Sequence, residues 1–408
     1  MGRHGGKHKS PSANDACFDP PTLGRLRRNL SRWFQKHGRD LPWRRSRDPY
    51  RIWISEIMLQ QTTVAAVVPY FERFLGRFPT VQALARAGEH DVLRLWEGLG
   101  YYSRARNLRL AAQQVVDKLS GTIPHEIDEL VALPGIGRYT AGAIASLAYD
   151  RPAPIVEANT LRVYARLLAF DGDVHSTAGR NVIWNFAEQA VPRRSAGAFN
   201  QALMDLGAMI CTPVEPRCPE CPVRTCCGAF QQGVQKSVPR PRVRPQVTFV
   251  DEAMVAVRDE GRYLLRQSLP GERWAGLWEF VRISLASVPA DNGNGRRPKA
   301  RNSLHELSRP LARRLEREIA ERTGLVVAAE SPAYEFHHTV TRFRIRLLCV
   351  TAENRGGTLN LPANFRWATS SQFRRLALSM PARKFADRLT ASANPSAAPV
   401  GTRSVRGR

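Results

Sequence analysis

Glu56 stands in the run Trp53-Ile54-Ser55-Glu56-Ile57-Met58-Leu59, a charge inside an otherwise apolar helix start. Apolar surroundings disfavour the ionised carboxylate, so a glutamate there keeps its proton near neutrality and can serve as a general acid. A solvated glutamate on a helix surface is the plainer alternative. Cys211, Cys218, Cys221 and Cys227 follow the spacing C-x6-C-x2-C-x5-C. One Cys-x2-Cys knuckle flanked by two single cysteines suits a cuboidal iron-sulfur cluster, whereas zinc ribbons, the alternative, use two knuckles far apart. Cys226 lies beside the fourth position and offers a substitute thiolate. Leu133-Pro134-Gly135-Ile136-Gly137-Arg138-Tyr139-Thr140-Ala141 reads as a helix end, a Gly-Ile-Gly turn and a new helix opening at Arg138. Two glycines this close allow positive φ and a bare backbone, so consecutive N–H groups can face one anion at a helix N-terminus. An ordinary helix corner has the same look. Further on, Glu157-Ala158-Asn159 supplies a second carboxylate, with Asn159 suited to N-cap the next helix.

These groups need elements to carry them. From Leu23 to Phe230 the apolar residues recur at helical spacing, with Leu26, Leu30, Trp33 and Phe34 in one helix and Ile54, Ile57, Met58, Ala65 and Val68 in another. No run alternates with period two, so this half is expected to be all-α. Gln235 to Gln246, rich in proline and arginine, reads as a stiff basic linker. Beyond it Met254 to Arg258 and Tyr263 to Leu265 flank Asp259-Glu260-Gly261 as a hairpin, and Phe343, Ile345 and Leu347 alternate with arginines. A helical pattern spans Leu311 to Arg322, which makes the second half α+β. The expected division is a disordered tail over 1–20, an all-α domain over 21–230 with the cysteine loop at 211–227, a linker over 231–247, an α+β domain over 248–390 and a tail over 391–408. Within the second domain Val288 to Arg309 reads as a polar insertion.

The chain of 408 residues carries a net charge of +25, and of its 61 basic residues only seven are lysine. Guanidinium forks match phosphate oxygens, so a polyanion such as nucleic acid is the expected partner, although base composition alone can enrich arginine. No apolar run reaches the ~18 residues of a membrane span, and Met1 to Pro21 lacks the apolar core of a secretory signal. Cys17 and Cys349 stand alone.

The pattern Leu-Pro-Gly-x-Gly-x-Tyr-Thr-Ala closely resembles the helix-hairpin-helix of base-excision DNA glycosylases, in the branch that holds the adenine DNA glycosylase (MutY) family and endonuclease III. The stretch Trp53 to Thr62 is similar to the adenine type, the cysteine spacing matches the family's 4Fe-4S loop, and the likeness runs from about Leu23 to Leu389. It implies that Gly135 and Gly137 hold the DNA backbone and that Glu56 protonates the departing adenine on its five-membered ring, then helps activate water. Base loss passes through an oxocarbenium-like state, so an ionised carboxylate is expected near the anomeric carbon. Glu157 occupies that place, with Asn159 as part of the site. The family has aspartate there, so this carboxylate reaches one methylene further. Glycosylases that also cut the strand place a lysine where this chain has Tyr139, which cannot form a Schiff base. A flipped base leaves a gap to fill. Gln60, Gln61 and Gly98-Leu99-Gly100-Tyr101-Tyr102 match the family's wedge elements, with Tyr101 as intercalator. Trp43, Arg44 and Gln201 fall where the family builds its adenine pocket.

In the second half, Trp274 to Phe280 looks like the entry to a Nudix-type fold and Arg317 to Leu325 like the end of a Nudix box. Arg322 replaces a metal-binding glutamate and Arg309 the upstream one, so pyrophosphate hydrolysis, which needs carboxylates for hard cations, is not expected. The implied role is to read the base opposite adenine. The family's reader loop carries Phe-Ser/Thr-His; here Thr341 and Arg342 stand in its place, and Arg342 can donate to a purine edge. The resemblance as a whole implies a monofunctional glycosylase with a 4Fe-4S cluster that excises adenine opposite 8-oxoguanine or guanine in double-stranded DNA. A monomer is expected, cytoplasmic and nucleoid-associated, with no membrane contact. The alternatives are an endonuclease III-like glycosylase and AP lyase acting on damaged pyrimidines, and a non-catalytic iron-sulfur protein that binds DNA.

Overall fold

The computed structural model describes residues 18–241, 246–289, 307–340, 342–357 and 362–393. It divides into two compact units, one of Met1–Ala87 with Ser103–Val243 and one of Gly88–Tyr102 with Arg244–Arg408. The tails proposed over 1–20 and 391–408 lie almost wholly outside the described residues, as does most of the insertion from Val288 to Arg309.

Among the described residues the first unit is all helix. It holds α1 (Pro20–His37), α2 (Pro49–Leu59), α3 (Val64–Arg77) and α4 (Val81–Ala85); α5 (Glu89–Trp96) belongs to the other unit, and α6 (Ser103–Lys118), α7 (Ile127–Val131), α8 (Arg138–Tyr149), α9 (Ala158–Leu167), α10 (Thr177–Ala190), α11 (Ala196–Met209) and α12 (Gly228–Gln231) complete the first. Side chains start these helices where the sequence offers an acceptor: Asp19 accepts from the Thr22 amide, Asp48 from Tyr50, Thr63 from Ala66 and Ser176 from Gly179. The single helix expected to carry Ile54 through Val68 is two, because Gln61 turns into the left-handed region (φ 57) between α2 and α3. Ala65 accordingly faces solvent and Val67 takes the buried position. Leu26 and Leu30 of α1 join Tyr164, Phe186, Phe199 and Leu203 in one core. Val238 is buried in that core as well, so the first part of the expected linker packs onto this unit.

The second unit is a mixed sheet with a helix on each face. β1 (Thr248–Asp259), β2 (Arg262–Gln267), β3 (Trp278–Pro289), β4 (Leu325–Val340), β5 (Phe343–Gly357) and β6 (Phe365–Thr369) lie in the order β4-β5-β1-β3-β2-β6, with β1 and β5 parallel and the other pairs antiparallel. The β1–β2 hairpin turns at Glu260 and Gly261, both at positive φ, as the sequence indicated. Alternation along β1 sends Ala253, Val255 and Val257 toward Leu315 and Ile319 of α13 (Arg309–Thr323). Met254 and Ala256 point the other way, toward Phe385 of α14 (Met380–Ala393). Segment 88–102, which lies inside the expected all-α domain, groups with the second unit. Arg383 donates to both oxygens of Glu97 (2.6 and 3.0 Å), and the Ala377 amide donates to His90 Nε2 (3.3 Å), so α5 is fastened to this unit.

Candidate active site

A cavity of about 480 Å³ in the first unit gathers Trp43, Arg44, Glu56, Tyr139, Glu157, Asn159 and Gln201. Glu56 is 3% exposed, on a helix whose neighbours Ile52 through Met58 are all buried. Burial pushes its carboxyl up to about 7; the Tyr139 hydrogen bond and the Arg44 charge draw it down, and the Glu157 charge pushes it further up. The Tyr139 hydroxyl donates to Glu56 Oε2 at 2.7 Å. Burial and the two carboxylates hold that phenol well above its usual range, so it remains a neutral donor.

Glu157 caps α9. Its Oε1 accepts from the Thr160 amide (3.0 Å), while Thr160 Oγ1 accepts from the Glu157 amide (2.9 Å). The N-cap expected at Asn159 is therefore two residues earlier: the longer glutamate arm folds back on its own helix, and Asn159 Oδ1 accepts from Arg162 (2.9 Å). Burial raises the Glu157 carboxyl above its ordinary value, against the pull of the Asn159 and Thr160 amides and of Arg162. Burial thus raises both carboxyls of the cavity, that of Glu56 to about 7.

Trp43 is buried and packs edge-on against Phe71 (5.5 Å). Arg44 lines the cavity with its guanidinium committed to Asp205 through bonds of 2.8 and 2.9 Å, and Arg39 binds the same carboxylate. Burial opposes the charge on Asp205, but the bonds and charge of Arg44, with Arg39, hold its carboxyl below the usual range. Sequence reasoning passed over Asp205, because nothing near it in the chain marks it as a partner for residues some 160 positions away.

The hairpin between α7 and α8 has the expected turn with one correction. Gly135 is left-handed (φ 78), and a Cβ there would sit 2.7 Å from Asn107 Cβ. Gly137 is extended (φ −93, ψ 174) with open space around it, so the fold does not require its positive φ. What it leaves is an α8 N-terminus capped by no side chain. Gln60 donates to Thr140 Oγ1 (3.3 Å), and the Gln60 carbonyl accepts from Arg104 (2.7 Å), a second residue that sequence reasoning missed. A smaller basic recess of about 370 Å³ is lined by Arg28, Arg32 and Arg194, and it shares Ser195 and Ala198 with the main cavity.

The cysteine loop hangs from α9. Arg162 donates to the carbonyls of Cys211 (2.8 Å) and Gly207 (2.9 Å) as well as to Asn159. Arg166 donates to Cys211 Sγ (3.3 Å) and to the carbonyls of Thr212 and Val238. Burial pushes the thiols of Cys221 to about 12 and Cys227 to about 11, and neighbouring cysteines of the set add to the rise. The mutual influence runs among Cys211, Cys218, Cys221 and Cys227. Cys226 is buried with its sulfur 3.9 Å from the Thr225 hydroxyl. Among the described residues no three His, Cys, Asp or Glu side chains close around one metal ion.

In the second unit Tyr101 is 47% exposed and left-handed (φ 47), following Gly98 (φ 103) and Gly100 (φ 70). Thr341 lies outside the described residues. Arg342 is exposed in the β4–β5 turn, its guanidinium 5.2 Å from the Phe343 ring centre. Glu318 of α13 is held by Arg314 (3.3 Å) and by Arg322 (2.7 Å), the arginine that stands where a Nudix box has a glutamate.

The family model described as HhH-GPD superfamily base excision DNA repair protein matches residues 54–186, and that of the NUDIX domain matches 252–388. A mouse adenine DNA glycosylase is 41% identical over 275 residues, covering 65% of this chain and 53% of the relative. The adenine DNA glycosylase of Buchnera aphidicola subsp. Acyrthosiphon pisum is 37% identical over 252 residues, covering 62% of this chain and 72% of the relative. A solved thermostable thymine-DNA glycosylase is 28% identical, with a TM-score of 0.47, over 52% of this chain and 98% of its own. The chain spans about half the length of the mammalian relatives it matches.

Proposed function

The chain belongs to the adenine DNA glycosylase family, and on that premise we propose that it releases adenine mispaired with 8-oxoguanine or guanine in double-stranded DNA, by hydrolysing the N-glycosidic bond. The observation that carries this reading is the cavity in which a carboxyl raised to about 7 faces a second, helix-capping carboxylate. Glu56 gives its proton to the five-membered ring of the departing base, so adenine leaves as a neutral molecule. Positive charge then builds on the sugar, where Glu157 provides the compensating anion. Glu56, now ionised, takes a proton from the water that adds to the sugar. Tyr139 keeps the Glu56 carboxyl oriented through both states.

The uncapped α8 N-terminus and the Gly135 turn support a grip on the phosphate backbone, and the arginine recess beside the cavity supports a further phosphate contact. Tyr101 fills the gap left by the flipped adenine, and Arg342, with Thr341 before it in the sequence, reads the opposite base. The site acts without strand cleavage, since Tyr139 offers no amine for a Schiff base. As an enzyme acting on DNA it would work at the nucleoid.

The donor set of the loop, four thiols without nitrogen or oxygen ligands, fits a 4Fe-4S cluster. Arg162 and Arg166 lie alongside it, donating to the carbonyl and the sulfur of Cys211, to offset thiolate charge. When bound, the cluster supplies a covalent crosslink for the loop. Iron and acid-labile sulfide in equal amounts in the purified protein are the expected assay result; zinc alone would exclude the cluster. The function is tested with a duplex holding one 8-oxoguanine:A pair. Strand breaks that appear only after alkali are expected. Breaks without alkali would indicate a lyase acting in the endonuclease III manner, and none at all a DNA-binding protein without catalysis.

A further inference from the structure

We infer that Glu97 and Arg383 are positioning residues for base extrusion, fixing the Gly98–Tyr102 turn to the core of the α+β unit. The inference rests on the reading of Tyr101 as the wedge. Three of the four residues from Gly98 to Tyr101 are left-handed, and Tyr101 has a Cβ that makes this region costly. A turn of that kind keeps its shape only where its surroundings over-determine it. Inside the turn the Trp96 indole donates to the Gly100 carbonyl (3.2 Å) and the Gly98 amide to the Tyr102 hydroxyl (3.3 Å).

At its root Glu97 accepts from Arg383 Nε and Nη2 (2.6 and 3.0 Å), a pair with side chains only 13% and 18% exposed. The rest of the same guanidinium donates to the carbonyls of Phe373 (2.8 Å) and Leu376 (2.9 Å), and both of these residues are buried in the core between sheet and α14. One planar fork thus welds the turn's base to two backbone carbonyls of the α+β unit. His90 at the opposite end of α5 accepts from the Ala377 amide, so the helix leading into the turn is held at both ends. A wedge has to resist the reaction force of the base stack, and this anchorage gives it that stiffness. The sequence neighbourhood of Arg383 contains nothing that would suggest such a role.

The test uses the full chain with Glu97→Gln, Arg383→Lys and, for comparison, Tyr101→Ala. Extrusion is read in stopped flow from the fluorescence of 2-aminopurine placed opposite 8-oxoguanine, and adenine release is read separately in single turnover. Relaxation of a strained turn lowers the population of its productive shape about tenfold. Extrusion is therefore expected to slow about tenfold in all three variants, with affinity for undamaged duplex at the wild-type value, while Glu97→Gln and Arg383→Lys, which break a mostly buried ion pair, also lower the thermal midpoint. Lysine does not rescue, because the fork and not the charge makes the four bonds. Wild-type extrusion in Glu97→Gln and Arg383→Lys overturns the inference, as does an equal loss of undamaged-duplex binding, which would mark a general loss of structure. Wild-type protein that extrudes the base without releasing adenine contradicts the proposed chemistry alone.

Discussion

Replacing Glu56 with glutamine should stabilise the protein while ending its activity, and only above a defined pH. In the unfolded chain the carboxyl ionises near its ordinary 4.5, whereas in the folded cavity it does so at about 7. Below pH 4.5 both states are protonated and the group costs nothing. Between 4.5 and 7 the unfolded chain alone gains by ionising, so folding stability drains away as pH rises, and above 7 the loss is constant. At ~1.4 kcal/mol per pH unit the difference comes to ~3 kcal/mol. Glutamine keeps the volume and still accepts from Tyr139, but it does not titrate. Urea unfolding of wild type and Glu56→Gln from pH 4 to pH 9 should give curves that coincide at the acid end and diverge to ~3 kcal/mol by pH 8. That corresponds to ~6–12 °C in the melting of the first unit. Adenine release should fall by ~100-fold or more in the same variant. A stability difference that is the same at pH 4.5 and pH 8 would refute the assignment of Glu56 as the buried proton holder.

Other perturbations test the surrounding parts. Tyr139→Phe removes the bond that lowers the Glu56 carboxyl, so the alkaline fall of the single-turnover rate should move to higher pH; an unmoved profile argues against the contact. Glu157→Ala should abolish release and cost ~1 kcal/mol through the lost cap, whereas Glu157→Asp should keep the cap, as paired unfolding and turnover measurements will show. Asp205→Asn strands the charges of Arg39 and Arg44 and should destabilise by ~3 kcal/mol in equilibrium unfolding. A loss below ~1 kcal/mol would mean that solvent takes over the role of the aspartate.

The acid, the second carboxylate, the hairpin and the cysteines were legible because each is a local pattern: a charge among apolar residues, two close glycines, four thiols in one loop. What the spacing did not show are the partners that arrive through tertiary contact. Asp205 meets Arg44, Arg162 meets Cys211, and Arg104 meets the end of α2, each across more than 40 positions of chain. Asn159 was misassigned as a cap because N-cap preference ranks asparagine above glutamate, and the rank says nothing of a longer arm that can turn back on Thr160. The helix drawn through Ile54 and Val68 ignored that Gln61 adopts a conformation no periodicity reveals. Nothing in the spacing of segment 88–102 shows its bonds to Arg383 and to the Ala377 amide, each across more than 280 positions of chain.

The capping of α9 by Glu157 bears on the sign of the field at the sugar. A helix start carries roughly half a positive charge, and that of α9 opens at the wall of the cavity where the proposed reaction would form a cationic ring. Left bare, it would repel the very species the reaction passes through. The Glu157 carboxylate sits on that pole, so a single side chain both quenches an adverse dipole and adds a net anion. Its loss would turn the local potential from about half a negative charge to about half a positive one, so the sign at the sugar changes while the change itself is that of one charge.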